Sequence, residues 1–186
     1  MIKLHLGCGK RHIPGFTHID LGDFPNIDFR RDISDLSVFS DNSVDLIYCS
    51  HSLEYFDRIQ AESTLKEWFR VLKPSGTLRL AVPDFEALTK VYLKYKSLDL
   101  ILGPLYGRII ISGNKDEKVV YHKTCYDFDS LKKLLEKCGY ANVCRYEWRE
   151  TEHKDYDDYS QAYIPHMDKE HGMLISLNVE ATKPRI

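Results

Sequence analysis

Ile2, Leu4 and Leu6 are apolar at alternate positions and run into Gly7-Cys8-Gly9. Alternation with a period of two predicts a half-buried strand. A glycine on each side of Cys8 frees the backbone for a sharp turn and for close approach to a ligand. The same alternation returns over residues 16–21, with Asp20 at its end, and residues 26–32 read as a third short strand with Asp32 just past it. Residues 44–49 predict a mostly buried fourth strand, followed by the polar run Ser50-His51-Ser52-Leu53-Glu54-Tyr55. Helical spacing follows. Leu65, Trp68, Phe69 and Leu72 share one face of a helix that Asp57 can cap, and the turn Lys73-Pro74-Ser75-Gly76 ends it. A fifth strand over 77–82 leads to a helix capped by Asp84, with Leu88, Val91, Tyr92 and Tyr95 on its apolar face. Later come a helix from Asp129 with Leu131, Leu134, Leu135 and Cys138 inward and Gly139 as its stop, then strands over 141–148 and 173–181. Residues 97–121 and 150–172 keep no period and are expected to lie over a site as cover insertions.

Only Lys10 to Gly15 separate the first two strands. Parallel neighbours need about a dozen connecting residues, so the helix usual at this point is expected to shrink to about one turn. A dinucleotide site wants a third glycine and a full helix to hold the pyrophosphate. His12 stands where that glycine would be. A ligand without phosphate fits this turn better.

The chain of 186 residues, 43% hydrophobic, is about the size of one domain, and residues 1–186 are expected to form a single one. No run reaches the roughly 18 apolar residues of a membrane span, and Met1-Ile2-Lys3 lead straight into a strand with no signal peptide between. The 28 acidic and 26 basic residues nearly balance, so no overall field favours nucleic acid or an anionic membrane. Five scattered cysteines without a C-x-x-C pair fit a reducing cytoplasm.

Taken together, a strand, a G-x-G turn, a strand ending in Asp20, then Asp32, then Tyr48-Cys49-Ser50-His51-Ser52-Leu53-Glu54-Tyr55-Phe56, and then residues 67–78 resemble a small stand-alone class I S-adenosylmethionine-dependent methyltransferase. The likeness is good over residues 2–85 and weaker over 122–140, where His-x-x-x-x-Asp-Phe-Asp precedes a helix ending in Cys-Gly-Tyr. It implies an α/β, Rossmann-like, seven-stranded, mostly parallel sheet with helices on both faces, the first helix shortened and the last strand antiparallel. It also implies S-adenosylmethionine as cofactor. Gly7, Cys8 and Gly9 would pass beneath the methionyl part, Asp20 with Leu21 would meet the ribose, Asp32 and Ile33 the adenine, and Ser50, His51 and Leu53 would lie near the sulfonium. A carboxylate accepts two hydrogen bonds at once, which suits Asp20 to a vicinal diol. The family usually has an acid where His5 stands and a small residue where Lys10 stands. The carbonyl of Gly7 can accept from the cofactor ammonium instead, and Lys10, Arg11 and His12 can meet its carboxylate, meet a phosphate on a different ligand, or lie solvated.

Methyl transfer to a hydroxyl needs alignment and a base. Histidine titrates nearest neutral pH, and His51 and His122 compete for the role. Tyr156, Asp157, Asp158, Tyr159, Gln161 and Tyr163 either line a pocket for a polyhydroxylated acceptor or form a solvated loop. His166, Asp168 and His171 match no strong metal motif, so no metal is expected. The expected activity is methyl transfer to a small-molecule acceptor, by analogy a hydroxyl of a sugar or a lipid-linked metabolite. A non-catalytic cofactor-binding subunit and a nucleotide-binding oxidoreductase are the alternatives.

Overall fold

The computed structural model describes residues 1–112 and 117–185. Seven strands form the central sheet: β1 (Lys3–Leu6), β2 (Thr17–Asp20), β3 (Phe29–Arg30), β4 (Val44–Ser50), β5 (Leu72–Pro83), β8 (Ala141–Arg145) and β11 (Ser176–Thr182). Their order is β3-β2-β1-β4-β5-β11-β8, with the first five parallel and β11 antiparallel to both neighbours. The direction of winding reverses between β1 and β4. In such sheets a ligand crevice opens there, at the carboxyl ends of the strands.

Alternation along the strands sorts two unlike faces. Leu4, Leu6, Ile47, Cys49, Leu78, Leu80 and Val179 form the main core with Leu65 and Trp68 of α1 (Arg58–Val71) and Leu131 and Leu135 of α4 (Phe128–Lys137). The registers line up His18, His5, Tyr48, Arg79, Glu180 and Cys144 as one row across the sheet. Side chains alternate along a strand, so this polar row faces away from the main core. Ile13 and Phe16 cover part of it beside Tyr48, and the chain after β8 brings His153 against the Tyr48 ring at 4.0 Å and Asp158 onto its hydroxyl at 2.5 Å. A second apolar core joins α2 (Phe85–Tyr95) and α3 (Asp99–Tyr106) through Leu88, Val91 and Ile101 to Ile164 and Ile175.

Local chemistry explains the ends of the elements. Asp57 and Asp84 cap α1 and α2 as their positions in the sequence suggest. The cap of α4 is Asp127, not Asp129, because Asp127 and Ser130 close a reciprocal capping box two residues earlier. The Lys73-Pro74-Ser75-Gly76 turn is absorbed into β5 as an irregularity. Val44 pairs with Leu72 and Leu46 with Thr77, and the surplus residues bulge with Ser75 at a φ of 65°. Residues 97–112 and 117–121 are more regular than their sequence suggests, holding α3 and an antiparallel pair of β6 (Ile109–Ser112) and β7 (Glu117–Val120), while residues 113–116 of that stretch lie outside the described residues. Met173 and Leu174 leave the last strand to pair, as β10, with β9 (Tyr163–Ile164). The first crossover is shorter still than expected, with turns closed by Arg11 N–H to the Cys8 carbonyl and Phe16 N–H to the Ile13 carbonyl in place of a helix. Even so, β1 and β2 pair in parallel.

Candidate active site

Gly7 and Gly9 both take positive φ, 64° and 57°. At Gly7 a methyl group would lie 2.1 Å from Ser52 Oγ, so only glycine lets the turn pack on the chain after β4. A methyl group on Gly9 would meet nothing within 4 Å and would point into open space over the strand ends. Asp20 fixes the shape of this turn. One carboxylate oxygen accepts from Gly9 N–H at 2.9 Å and the other from Gly22 N–H at 2.7 Å. A carboxylate has about four acceptor positions, so two remain for a ligand diol. Cys8 turns its side chain into the core, where burial pushes its thiol up to about 12 and leaves it inert. Only the Cys8 backbone belongs to the cofactor face.

Asp32 accepts from the Ser34 N–H and hydroxyl through one oxygen, and the other is left for an amino group of a ligand. Ile33 approaches the Gly7 position to 3.8 Å, and its carbonyl takes the Trp68 indole N–H at 2.7 Å. The adenosine face is thus clamped to α1. Ser50, the last residue of β4, and Leu53 just past it are buried, and the Ser50 hydroxyl has no partner among the described residues. Leu21 is exposed at the mouth. Every residue matched to the cofactor by resemblance lies at or just past the end of β1, β2, β3 or β4. The donor set suits an uncharged nucleoside with a diol: two carboxylates, a glycine cradle, and no helix N-terminus aimed at a phosphate.

His5 takes no part in that face. It lies buried in the polar row beside His18 and Tyr48, where desolvation lowers it to about 3 and keeps it neutral. Arg11 reaches the covering segment, donating to the Asp157 carbonyl at 3.0 Å and stacking over Tyr159 at 4.9 Å. His12 stacks on His18.

His51 and His122, distant in sequence, converge on a third residue. His51 turns sharply after β4 with a φ of 50°, a strained conformation of the kind that collects at functional sites. The Asn178 amide donates to the Ser160 carbonyl, so its oxygen receives the Ser176 hydroxyl proton. The Ser176 oxygen must then accept from His51 Nε2 at 3.0 Å, which leaves the lone pair on Nδ1. The Pro104 carbonyl can only accept, so at 3.0 Å it fixes the proton of His122 on Nδ1 and the lone pair on Nε2. Both lone pairs face Oε1 of Glu54, at 3.6 and 3.8 Å.

Glu54 is fully buried and neither carboxyl oxygen has a hydrogen-bond partner among the described residues. Burial pushes it up to about 8, lowers His51 to about 3 and also lowers His122. A carboxyl that keeps its proton complements two neutral imidazole lone pairs, whereas a carboxylate would repel both. At 3.6 and 3.8 Å neither contact is a hydrogen bond, so the carboxyl and the two imidazoles meet at packing distance. Glu54 is the site residue that the sequence reading passed over. Its spacing three residues after His51, inside the polar run that follows β4, was the available signal. A groove of about 230 Å³ opens beside His122, lined by Phe85, Leu105, Tyr106, Lys123, Thr124 and Cys125.

Of the candidate acceptor loop, only Tyr159 reaches this centre, 5.4 Å from the His51 ring. Asp158, Gln161 and Tyr163 are occupied by Tyr48, by the Lys154 carbonyl and by Trp148 respectively. His166 and His171 are exposed, and no three His, Cys, Asp or Glu among the described residues are arranged to hold a metal ion.

Residues 19–80 match the family model described as a methyltransferase domain. The fold matches that of an S-adenosylmethionine-dependent methyltransferase from Archaeoglobus fulgidus with a TM-score of 0.58 at 16% identity, covering 97% of this chain and 85% of that one. This chain has the fold of the class I S-adenosylmethionine-dependent methyltransferases. A further structure with this fold, at a TM-score of 0.57 and 13% identity over 99% of this chain and 71% of that one, is a 1,6-didemethyltoxoflavin-N1-methyltransferase from Burkholderia thailandensis with bound S-adenosylhomocysteine. In sequence, the domain is 30% identical over 149 residues to a demethylmenaquinone methyltransferase of Staphylococcus saprophyticus, 74% of this chain and 56% of that protein. It is 28% identical over 135 residues to a ubiquinone/menaquinone biosynthesis C-methyltransferase of Cronobacter sakazakii, 68% of this chain and 51% of that protein. The chain spans about half the length of these curated relatives.

The buried histidines of the chain make its stability depend on pH. Burial holds His5, His51 and His153 down at about 3, 3 and 4 against 6.5 in the unfolded chain. Lowered folded values mean that stability present above pH 6.5 is lost as pH falls. Glu54, raised from 4.5 to about 8, opposes this by carrying a proton that the unfolded chain releases. Between about pH 6 and pH 5 the net uptake on unfolding is about two protons, so stability should fall by about 2–3 kcal/mol per pH unit. Urea unfolding across that interval measures the slope. A flat profile would contradict the neutral buried histidines.

Proposed function

We propose that the domain binds S-adenosylmethionine across the ends of β1 to β4 and transfers its methyl group to a small-molecule acceptor held in the groove beside His122. The observation that carries the reading is the convergence of the glycine cradle, two strand-end carboxylates and the His51–Glu54–His122 triad on one edge of the sheet.

Bound S-adenosylmethionine would supply an electrophilic methyl on a sulfonium. The protein binds, orients, excludes water and takes a proton. Asp20 and Asp32 hold the nucleoside, Gly7 to Gly9 lie under the methionyl chain, and Ser50 and Leu53 border the transfer point. His51 and His122 are the candidate bases, with Glu54 between them. The acceptor's proton goes to an imidazole nitrogen that carries no proton, Nε2 in His122. His122 borders the groove, so it is the group that meets the acceptor.

Phe85, Leu105 and Tyr106 give the groove apolar walls. Such walls favour a lipid-linked acceptor, reacting through a hydroxyl or an acidic ring carbon, over a sugar. The relatives named for quinone methylation support the same class. Five unpaired cysteines fit work in a reducing cytoplasm. No helix among the described residues is long and apolar enough to cross a membrane.

Incubating the domain with methyl-labelled cofactor and a lipid extract tests the reading, with label expected in the organic phase. Cofactor binding without labelling of any extract would instead support a non-catalytic subunit. Residues 97–121 and 150–172 act as covers in this reading, since Tyr159 lies over His51 and the segment after α3 brings in His122. Amide exchange in both segments should slow when cofactor and acceptor are added together. Equal exchange with and without ligands would remove the cover role.

A further inference from the structure

More than half of the large apolar side chains that stand exposed among the described residues lie between Phe85 and Tyr121. They are contributed by the end of α2, by α3 and by the β6–β7 pair, and include Leu93, Leu98, Leu102, Tyr106, Ile109 and Ile110. We propose that this surface docks the domain on an anionic lipid bilayer, with the β6–β7 pair and α3 seated at the headgroup boundary.

Two features select a bilayer over a protein partner. Ile109 and Ile110 are consecutive in a strand, so they point to opposite sides of a two-stranded ribbon, yet 43% and 42% of their surfaces are exposed. A second copy of this chain would cover one side of such a ribbon, whereas acyl chains surround both. The second feature is charge. The whole chain carries a net charge of −2, but residues 85–121 hold six lysines and arginines against four acids, and Lys94, Lys96 and Arg108 border the patch without a carboxylate partner among the described residues. Lys94 and Lys96 lie over the rings of Tyr95 and Tyr92 at 5.0 and 5.9 Å. Aromatic rings and lysines on an apolar face are the composition of an interfacial anchor, and each cation near an anionic surface adds to the attraction.

The placement has a consequence for access. Tyr106 belongs both to the exposed surface and to the wall of the groove beside His122, and its carbonyl accepts the His122 N–H at 2.7 Å. A docked domain would open that groove toward the lipid. Docking itself rests on the surface alone and is independent of the methyl-transfer reading.

Co-sedimentation of the whole chain with vesicles tests it, comparing phosphatidylcholine alone with phosphatidylcholine containing phosphatidylglycerol. Binding is expected on the anionic vesicles and should fall at high salt. Lys94→Glu with Lys96→Glu should weaken it by about tenfold or more. Ile109→Ser with Ile110→Ser, on β6 and clear of the main core, should also weaken it about tenfold while leaving the melting temperature unchanged. Absence of vesicle binding would overturn the proposal, as would binding indifferent to both double variants. A dimer in solution that the isoleucine variants dissolve would overturn it in favour of a second copy.

Discussion

Replacing His122 with alanine should leave cofactor affinity close to that of the unaltered protein and slow turnover by about 10²–10⁴-fold, the usual cost of losing a general base. The cofactor contacts sit on β1 to β4, whereas His122 enters from the segment that follows β7. The side chain has a second task, because Nδ1 and the backbone N–H together satisfy the Pro104 and Tyr106 carbonyls at the end of α3. His122→Asn separates the two roles. Its amide can donate to Pro104 but offers no imidazole lone pair to Glu54, so it should keep the melting temperature and still lose turnover. Full turnover in His122→Asn would reduce the residue to a helix cap and leave His51, or desolvation of the acceptor, as the source of activation. His51→Ala should harm both binding and turnover, since His51 shares the turn after β4 with Ser50 and Leu53 and packs against Tyr159.

Asp20→Ala should weaken cofactor binding by about 2–4 kcal/mol, the loss of two charge-assisted hydrogen bonds to the ribose. Two backbone N–H groups, of Gly9 and Gly22, would lose their acceptor as well. Part of the effect would therefore come from a loosened glycine turn. Asp20→Asn keeps one oxygen acceptor and the size of the side chain. It should lose less affinity than Asp20→Ala while melting closer to the unaltered protein. Equilibrium dialysis with labelled cofactor, read beside thermal unfolding, gives both quantities. Unchanged affinity in a folded Asp20→Ala protein would remove the ribose from this position.

The strand ends were legible in the sequence because glycine and aspartate act locally. Gly7 and Gly9 have to be glycine where the backbone is left-handed, and Asp20 and Asp32 close turns within a few residues of themselves. The covering segments were opaque because their partners are distant. Nothing near Asp158 announces that it meets Tyr48, and nothing near His122 announces Glu54 or the end of α3. The polar row from His18 to Glu180 was equally hidden, since it exists only once five strands are in register. His5 shows the cost of reading one position alone. By motif its position is one where the family usually has an acid, but the pleat of β1 turns His5 to the opposite face among other rings.

Calorimetric titration of the unaltered chain with S-adenosylhomocysteine, and separately with NAD, tests the central claim most directly. The strand-end site has a diol acceptor and a glycine cradle but no helix to hold a pyrophosphate. One equivalent of S-adenosylhomocysteine should therefore bind, and NAD should give no comparable heat. Saturable binding of NAD with none of S-adenosylhomocysteine would contradict the assignment of this edge of the sheet to a sulfonium cofactor.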